Sequence, residues 1–372
     1  MVPSESGKKT HRLRHFVLKT IILPRQARDT HRKSSTRDAF FLQIIFERNE
    51  CVSVTNNGGG GDIANYGEVP SSTHLWIADN SIHWTWGSDR EVTTFDGGGS
   101  GYTGYHESQH YGIAADRRPA IVLSMPTLST DANIYPGWAI FVLDGPGAGQ
   151  YRRIVQAHSR TELVLDSLFV GVVPDASLFQ IVPMRGQVIM FRNNIADTGV
   201  LQFYGQAMES IVAQHRHERT DGFISIGTCE GTYDHLDRNC STASCQFGVN
   251  LQLQFLDNTV TESNHMWIWN QKQSQGEGSW DWHHMYNDYS FVAVGRNVLK
   301  SFWDGPMSRN LVYRRNRVVG YGGFGISDKT TDVILESCDV VNTTVGIHIN
   351  ESTTNVMTRN NSVSVSDTMG GR

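Results

Sequence analysis

Short apolar strands recur along the C-terminal half of the chain at a near-constant distance from a polar residue. Val200-Leu201-Gln202-Phe203, Met266-Trp267-Ile268-Trp269, Phe324-Gly325-Ile326-Ser327 and Ile347-His348-Ile349-Asn350 each begin about eight residues after a phrase of Asn or a stand-in, any residue, then an aliphatic. The phrases are Asn193-Asn194-Ile195, Asn258-Thr259-Val260, Asn316-Arg317-Val318 and Cys338-Asp339-Val340, with Asn361-Ser362-Val363 as a fifth. The step is 22 residues from Asn316 to Cys338 and 23 from Cys338 to Asn361, while the gaps 193–258 and 258–316 leave room for three and two coils. Weaker copies fall in those gaps, at Arg216-His217-Glu218 before Phe223-Ile224-Ser225-Ile226 and at His283-His284-Met285 before Phe291-Val292-Ala293-Val294.

A fixed period in this range means a solenoid whose coils bury their apolar faces only against one another. A coil this short has no room for an ordinary helix, so short strands and tight turns are the economical solution. The predicted fold is all-β, a right-handed parallel β-helix, the hand following the general rule for parallel crossovers. The repeated Asn predicts a hydrogen-bonded ladder along the stack, interrupted at Arg216 and Cys338. Aligned on Gly199, Gly222, His265, Ser290, Gly323 and Gly346, the strands sort by period two. Val200, Phe223, Met266, Phe324 and Ile347 fall inward with Gln202, Ser225 and Ile268, whereas Leu201, Ile224, Trp267, Phe203 and Trp269 fall outward. That alignment leaves the outer strand face without a carboxylate. It predicts either a cover of chain over an apolar patch or a Trp platform for sugar.

Over residues 184–372 the chain resembles the right-handed parallel β-helix proteins of the pectate-lyase-like superfold. That superfold includes polysaccharide lyases, glycoside hydrolases, phage tailspikes and adhesins, most of them extracellular; the resemblance therefore implies an extracellular or cell-surface protein with polysaccharide as partner. A second resemblance lies upstream. The phrase Asp144-Gly145-Pro146-Gly147-Ala148-Gly149-Gln150-Tyr151-Arg152, followed by Leu165-Asp166 and Pro174-Asp175-Ala176-Ser177-Leu178-Phe179, is similar to a small β-module of phage tail and extracellular β-helix proteins, with a structural role implied. Around it Trp138 to Leu143, Tyr151 to Val155 and Leu163 to Leu165 have the spacing of a small antiparallel unit.

Charge divides the chain. Residues 1–48 hold 11 Lys/Arg against 4 Asp/Glu, and the remaining 324 hold 21 against 33. An acidic solenoid argues against a nucleic-acid groove and mildly against an anionic polymer. The basic start reads as a disordered extension that contributes little to the fold; Lys19 splits its apolar run, and no small-residue cleavage site follows. Residues 49–119 read as an N-terminal cap and first coils, through Leu75 to Asp79 and Ile82 to Trp86; 120–183 read as the module, and 184–372 as the β-helix. No stretch approaches the ~18 apolar residues of a membrane span, so the chain reads as soluble. Cys229, Cys240 and Cys245 share one polar excursion and read as a disulfide or free thiols, with a zinc site matching no standard spacing. Cys338 reads as a buried small residue.

Candidate chemistry gathers at two places. Asp197, Asp221, His265 and Asp288 fall just before the strands at a similar angular position. Two carboxylates two coil steps apart, at ~4.8 Å per step, would suit the roughly 6.5–9.5 Å separation of an inverting glycosidase; Asp before Gly is also an ordinary turn choice. The second place is the excursion 270–305, with Glu277, Trp280, Asp281, Trp282, His283, His284, Asp288, Lys300, Trp303 and Asp304. Five of the nine Trp lie between 267 and 303, and loops on a rigid scaffold are where function concentrates. Candidate acids and bases are Asp221, Asp281, His284, Asp288 and Asp304; candidate sugar contacts are Trp267, Trp269, Trp280, Trp303, His265 and Lys300. His215-Arg216-His217-Glu218 lacks a third metal ligand and reads as solvated turn, so no metal set is assigned. A lyase of the resembled superfold would need a base and often calcium to neutralise a uronate, and no short motif of the pectin-cleaving enzymes is present. The reading is a polysaccharide-acting hydrolase or lyase, with a non-catalytic adhesin or tailspike-like protein as the alternative.

Overall fold

The computed structural model describes residues 19–22, 42–52, 73–83, 91–96, 102–105, 111–113, 119–122, 133, 135–159, 162–172, 177–182, 185–197, 199–204, 207–220, 222–230, 246–248, 250–262, 266–270, 308–320, 323–326, 330–343, 346–351 and 353–365. They form a parallel β-helix of three sheets, with a small antiparallel sheet beside it. The first sheet stacks Leu42–Glu47, Thr73–Ala78, Arg185–Phe191, Ala207–Ala213, Asn250–Leu256, Ser308–Arg314, Thr330–Glu336 and Thr354–Arg359, one strand from each of eight coils. The second sheet stacks the short strands that follow each of these, from Glu50–Val52 to Ser362–Val365. The third stacks Glu91–Asp96, Val200–Tyr204, Phe223–Glu230, Met266–Asn270, Gly323–Ile326 and Gly346–Ile349, from coils two to seven.

The coil count corrects two expectations. Arg216–Glu218 pairs directly with Thr259–Thr261, which pairs directly with Arg317–Val319, so the gap 193–258 holds one intermediate coil and 258–316 holds none. The extra length is spent on excursions leaving the stack; the copy expected at His283 lies outside the described residues, and no coil separates its flanking strands. The N-terminal boundary also moves. Leu42–Glu47 pairs in parallel with Thr73–Ala78, and Phe46 is buried in the core, so coil one begins upstream of residue 49. Lys19–Ile22 runs antiparallel along its edge.

The ladder forms and is longer than the sequence phrase indicated. It runs through Asn49, Asn80, Asn193, His215, Asn258, Asn316, Cys338 and Asn361. Each amide Oδ1 accepts from the backbone N–H of the ladder residue one coil earlier, as Asn193 does from Asn80 at 3.0 Å, Asn258 from His215 at 2.9 Å and Asn316 from Asn258 at 3.0 Å. From Asn80 onward each Nδ2 donates to a carbonyl of the preceding coil, Asn193 to Ile77 at 2.9 Å and Asn316 to Phe255 at 2.8 Å. Buried backbone groups at the corner are thereby satisfied without water. Arg216 does not interrupt the ladder. It pairs with Asn194, and its neighbour His215 takes the Asn slot, accepting at Nε2 from Asn193 Nδ2 over 3.2 Å.

The residue before each ladder position, from Arg48 to Asn360, has φ between 52° and 57°. Such a left-handed residue turns the chain sharply at a cost that the packed stack absorbs. Successive coils are further aligned there by Arg192 with Asp79 at 2.8 and 2.9 Å and Arg315 with Asp257 at 2.6 and 2.8 Å. These pairs are half exposed, so they specify register more than they stabilise. Inside, aromatic rings run along the axis, with His217 4.1 Å from Phe223, Phe223 5.8 Å from Phe255, and Phe255 stacked on Tyr313 at 4.7 Å. At Gly323 a Cβ would come 2.2 Å from the Gly346 carbonyl oxygen of the next coil, which demands glycine.

The antiparallel sheet draws on more chain than residues 120–183. Its order is Tyr102–Tyr105, Leu178–Val182, Ala139–Asp144, Tyr151–Ala157, Glu162–Leu165, Pro119–Val122 and Tyr111–Ile113. Tyr135, Ile140, Ile154, Leu163 and Phe179 form its own core. The Gly147-Ala148-Gly149-Gln150 turn has φ of 85° and 91° at its glycines, and Gln150 clamps Val170 through both its amide atoms at 2.7 and 3.0 Å. This module meets the outer side of the first sheet: the Tyr151 hydroxyl bonds Glu209 of coil four, and a Cβ on Gly149 would lie 3.8 Å from Asn310 Nδ2 of coil six. Those contacts are not on the third sheet, where a cover over the Trp face was expected.

Candidate functional site

Three long excursions leave the solenoid at one corner. Coil two departs after Asp96 and returns at Arg185, coil four departs after Glu230 and returns at Asn250, and coil five departs after Asn270 and returns at Ser308. All three exits follow a third-sheet strand. Coils three and six, by contrast, turn the same corner between Tyr204 and Ala207 and between Ile326 and Thr330. A solenoid that can close this corner in two or three residues does not need dozens, and added chain on a rigid scaffold is where binding groups collect. The excursions also meet: Gln246–Gly248, paired antiparallel with the end of Phe223–Glu230, lies against Tyr102–Tyr105.

The third sheet that borders this corner has a register one residue away from the expected one. Leu201 pairs with Phe223, and Leu201 and Phe203 are buried in the core. Leu201 and Phe203 were assigned outward because the strands were aligned on Gly199 and Gly222; the observed register pairs Leu201 with Phe223, and the strand shifts by one. Thr94, Gln202, Ile224, Trp267, Gly325 and His348 stand in register across the sheet, and so, two residues on, do Asp96, Tyr204, Ile226 and Trp269. Glu91–Asp96 was not recognised as a strand of this sheet; it places Asp96 in register with Tyr204. His348 is exposed at the far end of the row.

Trp267 and Trp269 hold register positions two residues apart on Met266–Asn270, the strand after which the Trp-rich segment 271–307 departs. Trp280, Asp281, His284, Asp288, Lys300, Trp303 and Asp304, together with Asp221 and His265, lie outside the described residues. The stacked acid edge begins differently from expectation. Asp197 is followed one coil on by Arg219, whose Nη2 donates to Asp197 Oδ2 at 2.9 Å, and the guanidinium holds that carboxyl below its usual range. Asp197 is consequently a register-setting partner and is unsuited to proton transfer.

His215 and His217 are not solvated turn residues. Both are buried inside coil four, their rings 5.9 Å apart, while Arg216 and Glu218 between and beyond them are exposed. Burial pushes His215 down to about 3 against the opposing pull of the Met190 carbonyl. Burial, then the neighbouring His215, holds His217 well below the ordinary range. His217 Nδ1 lies 3.3 Å from Thr220 Oγ1. Among the described residues no group of three or more His, Cys, Asp or Glu could hold a metal ion. Cys338 is buried on the ladder as a small residue, with Cys51 buried in coil one; Cys229 is in Phe223–Glu230, and Cys240 and Cys245 lie outside the described residues.

No protein-family profile matches the chain, and no curated protein matches it. Among solved structures it is similar to the Gp54 tailspike of Acinetobacter baumannii bacteriophage AP22, determined in complex with A. baumannii capsular saccharide, at 9% identity and a TM-score of 0.21. The match covers 85% of this chain and 52% of the tailspike chain, so this chain spans about half the length of that one. A superposition this loose assigns no function; the parallel β-helix rests on the strand registers above.

Proposed function

We propose that this is an extracellular or cell-surface β-helix protein that acts on polysaccharide, with its site at the corner where coils two, four and five send out their excursions. The observation that carries this reading is that coils two, four and five all leave the stack after a third-sheet strand, with Tyr102–Tyr105 and Gln246–Gly248 in contact. Aromatic faces suit the apolar side of a pyranose, and carboxylates and amides suit its hydroxyls. In the enzymatic form of the reading, Trp280 and Trp303 stack on sugar, His265 and Lys300 add polar contacts, and two among Asp221, Asp281, His284, Asp288 and Asp304 supply acid and base. A lyase form would bring calcium to a uronate substrate.

Binding without cleavage, as in an adhesin, is the second reading. It is favoured by the engagement of Asp79, Asp197, Asp257 and Glu336 with arginines, which takes these described carboxylates out of proton transfer. One experiment separates the two readings: the purified protein is incubated with a polysaccharide panel, and reducing ends and unsaturated products are measured. Release of either that falls about a hundredfold or more in Asp281→Asn or Asp288→Asn supports catalysis; binding with no product supports the adhesin form; neither binding nor product rejects the reading.

A further inference from the structure

The two ends of the stack are finished differently. At coil one, Lys19–Ile22 lies antiparallel along the edge of Leu42–Glu47. At the other end, Gly346–Ile349, Thr354–Arg359 and Ser362–Val365 are the terminal strands of the three sheets, with no further strand on them among the described residues. The apolar interior reaches the surface there. Val340 is fully buried beneath Val363, and Val333 is buried beneath Val356, whereas Val363 and Val365 are 49% and 51% exposed. These side chains face inward: Val363 and Val365 come within 3.1 and 3.3 Å of a Cβ placed on Gly346, and Val356 and Ile347 pack on the core.

Edge strands that end a sheet are ordinarily guarded by Lys, Pro or an inward-pointing charge. Residues 354–365 contain no Lys, no Pro and no acid. Their one charge, Arg359, is already paired with Glu336 of the coil beneath at 2.7 Å.

We infer that this end is an interface for a second copy of the chain, coil eight on coil eight, about a two-fold axis that crosses the solenoid at Val356. A coil rises one strand spacing, ~4.8 Å, so Gly346–Ile349 sits about a third of a step before Thr354–Arg359 and Ser362–Val365 about a third after. The two-fold lays Thr354–Arg359 antiparallel on its own copy and exchanges the other two sheets, bringing Ser362–Val365 onto Gly346–Ile349 of the second copy. With the first pair one step apart, the offsets cancel and the other pairs also stand one step apart. All three sheets therefore continue across the junction.

The side chains match in that register. Thr354, Val356 and Thr358 are the inward positions of their strand, opposite Thr331, Val333 and Leu335. Centring on Val356 sets it against its own copy and Thr354 against Thr358. On the exchanged sheets, Val363 and Val365 meet Ile349 and Ile347 of the second copy, apolar on apolar. A two-fold contact of this kind closes on itself, and Lys19–Ile22 guards the opposite end against head-to-tail growth.

The test is sedimentation velocity of the full chain between about 1 and 100 μM, a range that reports interfaces of micromolar strength. A reversible monomer–dimer equilibrium is expected. Val365→Lys puts an ammonium without a partner into the junction and is expected to raise the dissociation constant at least about tenfold, with a melting temperature within a few degrees of the unsubstituted monomer. Val356→Cys places two thiols at the axis, ~4.5–5.5 Å apart between Cα atoms as for directly opposed antiparallel residues, which is within disulfide reach. Mild oxidation is expected to link that variant as a dimer where the unsubstituted chain, with its five cysteines, is not linked. Should Val365→Lys fail to fold, the link at Val356→Cys decides. A chain that stays monomeric at about 100 μM, a dimer that folded Val365→Lys leaves intact, or no link at Val356→Cys overturns the proposal. A monomer that dimerises only after removal of residues 366–372 also overturns it, and assigns the cover to that tail.

Discussion

Asn258 sits where three coils exchange hydrogen bonds, accepting from His215 N–H, donating to Val212 at 3.0 Å and donating to Asn316 Oδ1 at 3.0 Å. Asn258→Ala leaves buried backbone groups without partners, at a cost of about 1–3 kcal/mol each; chemical denaturation is expected to place the loss in or above that range. The converse change repairs the ladder. At Cys338 the Asn316 amide meets a sulfur at 4.0 Å where an Asn rung offers an oxygen, so Cys338→Asn is expected to raise stability by about 1 kcal/mol, read as a higher denaturation midpoint. The histidines give a pH signature. An unfolded His titrates near 6.5, whereas His215 in the folded chain titrates at about 3. Between those values the unfolded chain binds protons that the folded chain refuses, so stability falls as pH drops, by at most about 1.4 kcal/mol per unit per His. His215→Asn, which fits the ladder, is expected to flatten melting temperature against pH between 6.5 and 4 without loss at pH 7; an unchanged slope would place the acid sensitivity elsewhere. The ladder was legible at Asn193, Asn258, Asn316 and Asn361 because an amide repeated there. It was not legible at His215, because an imidazole fills the same slot with a different side chain, and the alignment of Gly199 with Gly222 moved the strand at Val200 by one residue.

At the scale of elements, strand existence followed from apolar alternation, while strand partners did not. Glu91–Asp96 carries Phe95 in register with Phe203, and its membership in the third sheet depends on a return of the chain at Arg185, after the module. Leu42–Glu47 was obscured in the same way by the basic sequence before it, although Phe46 is part of the core. Two truncations measure that boundary. Removing residues 1–41 keeps the first rung and is expected to lower the melting temperature by a few degrees at most; removing 1–48 deletes Phe46 and a parallel strand and is expected to cost several degrees more. Equal melting temperatures would show that the first rung adds nothing. Gly323→Ala offers an internal check, because its Cβ would meet a backbone oxygen of the next coil; loss of at least 1–3 kcal/mol is expected, as for other overpacked sites.

For the whole molecule, the account comes down to a continuous stack whose coils support three excursions at one corner. The repeat made the solenoid legible from a few residues per coil. The proposed site was legible only as a concentration of Trp, His and acid, because the corner at which the excursions exit depends on three-dimensional register. If coil five truly abuts coil six, the chain from 271 to 307 is dispensable for folding. Coil three closes the same corner between Tyr204 and Ala207, so a short Gly-Ser turn can replace the excursion. The decisive measurement is glycan binding and melting temperature of that replacement beside the full chain. The account predicts a melting temperature within a few degrees of the full chain and binding lost or weakened at least tenfold. Unfolding on replacement would contradict the direct pairing of coils five and six, and undiminished binding by a folded variant would contradict the placement of the site.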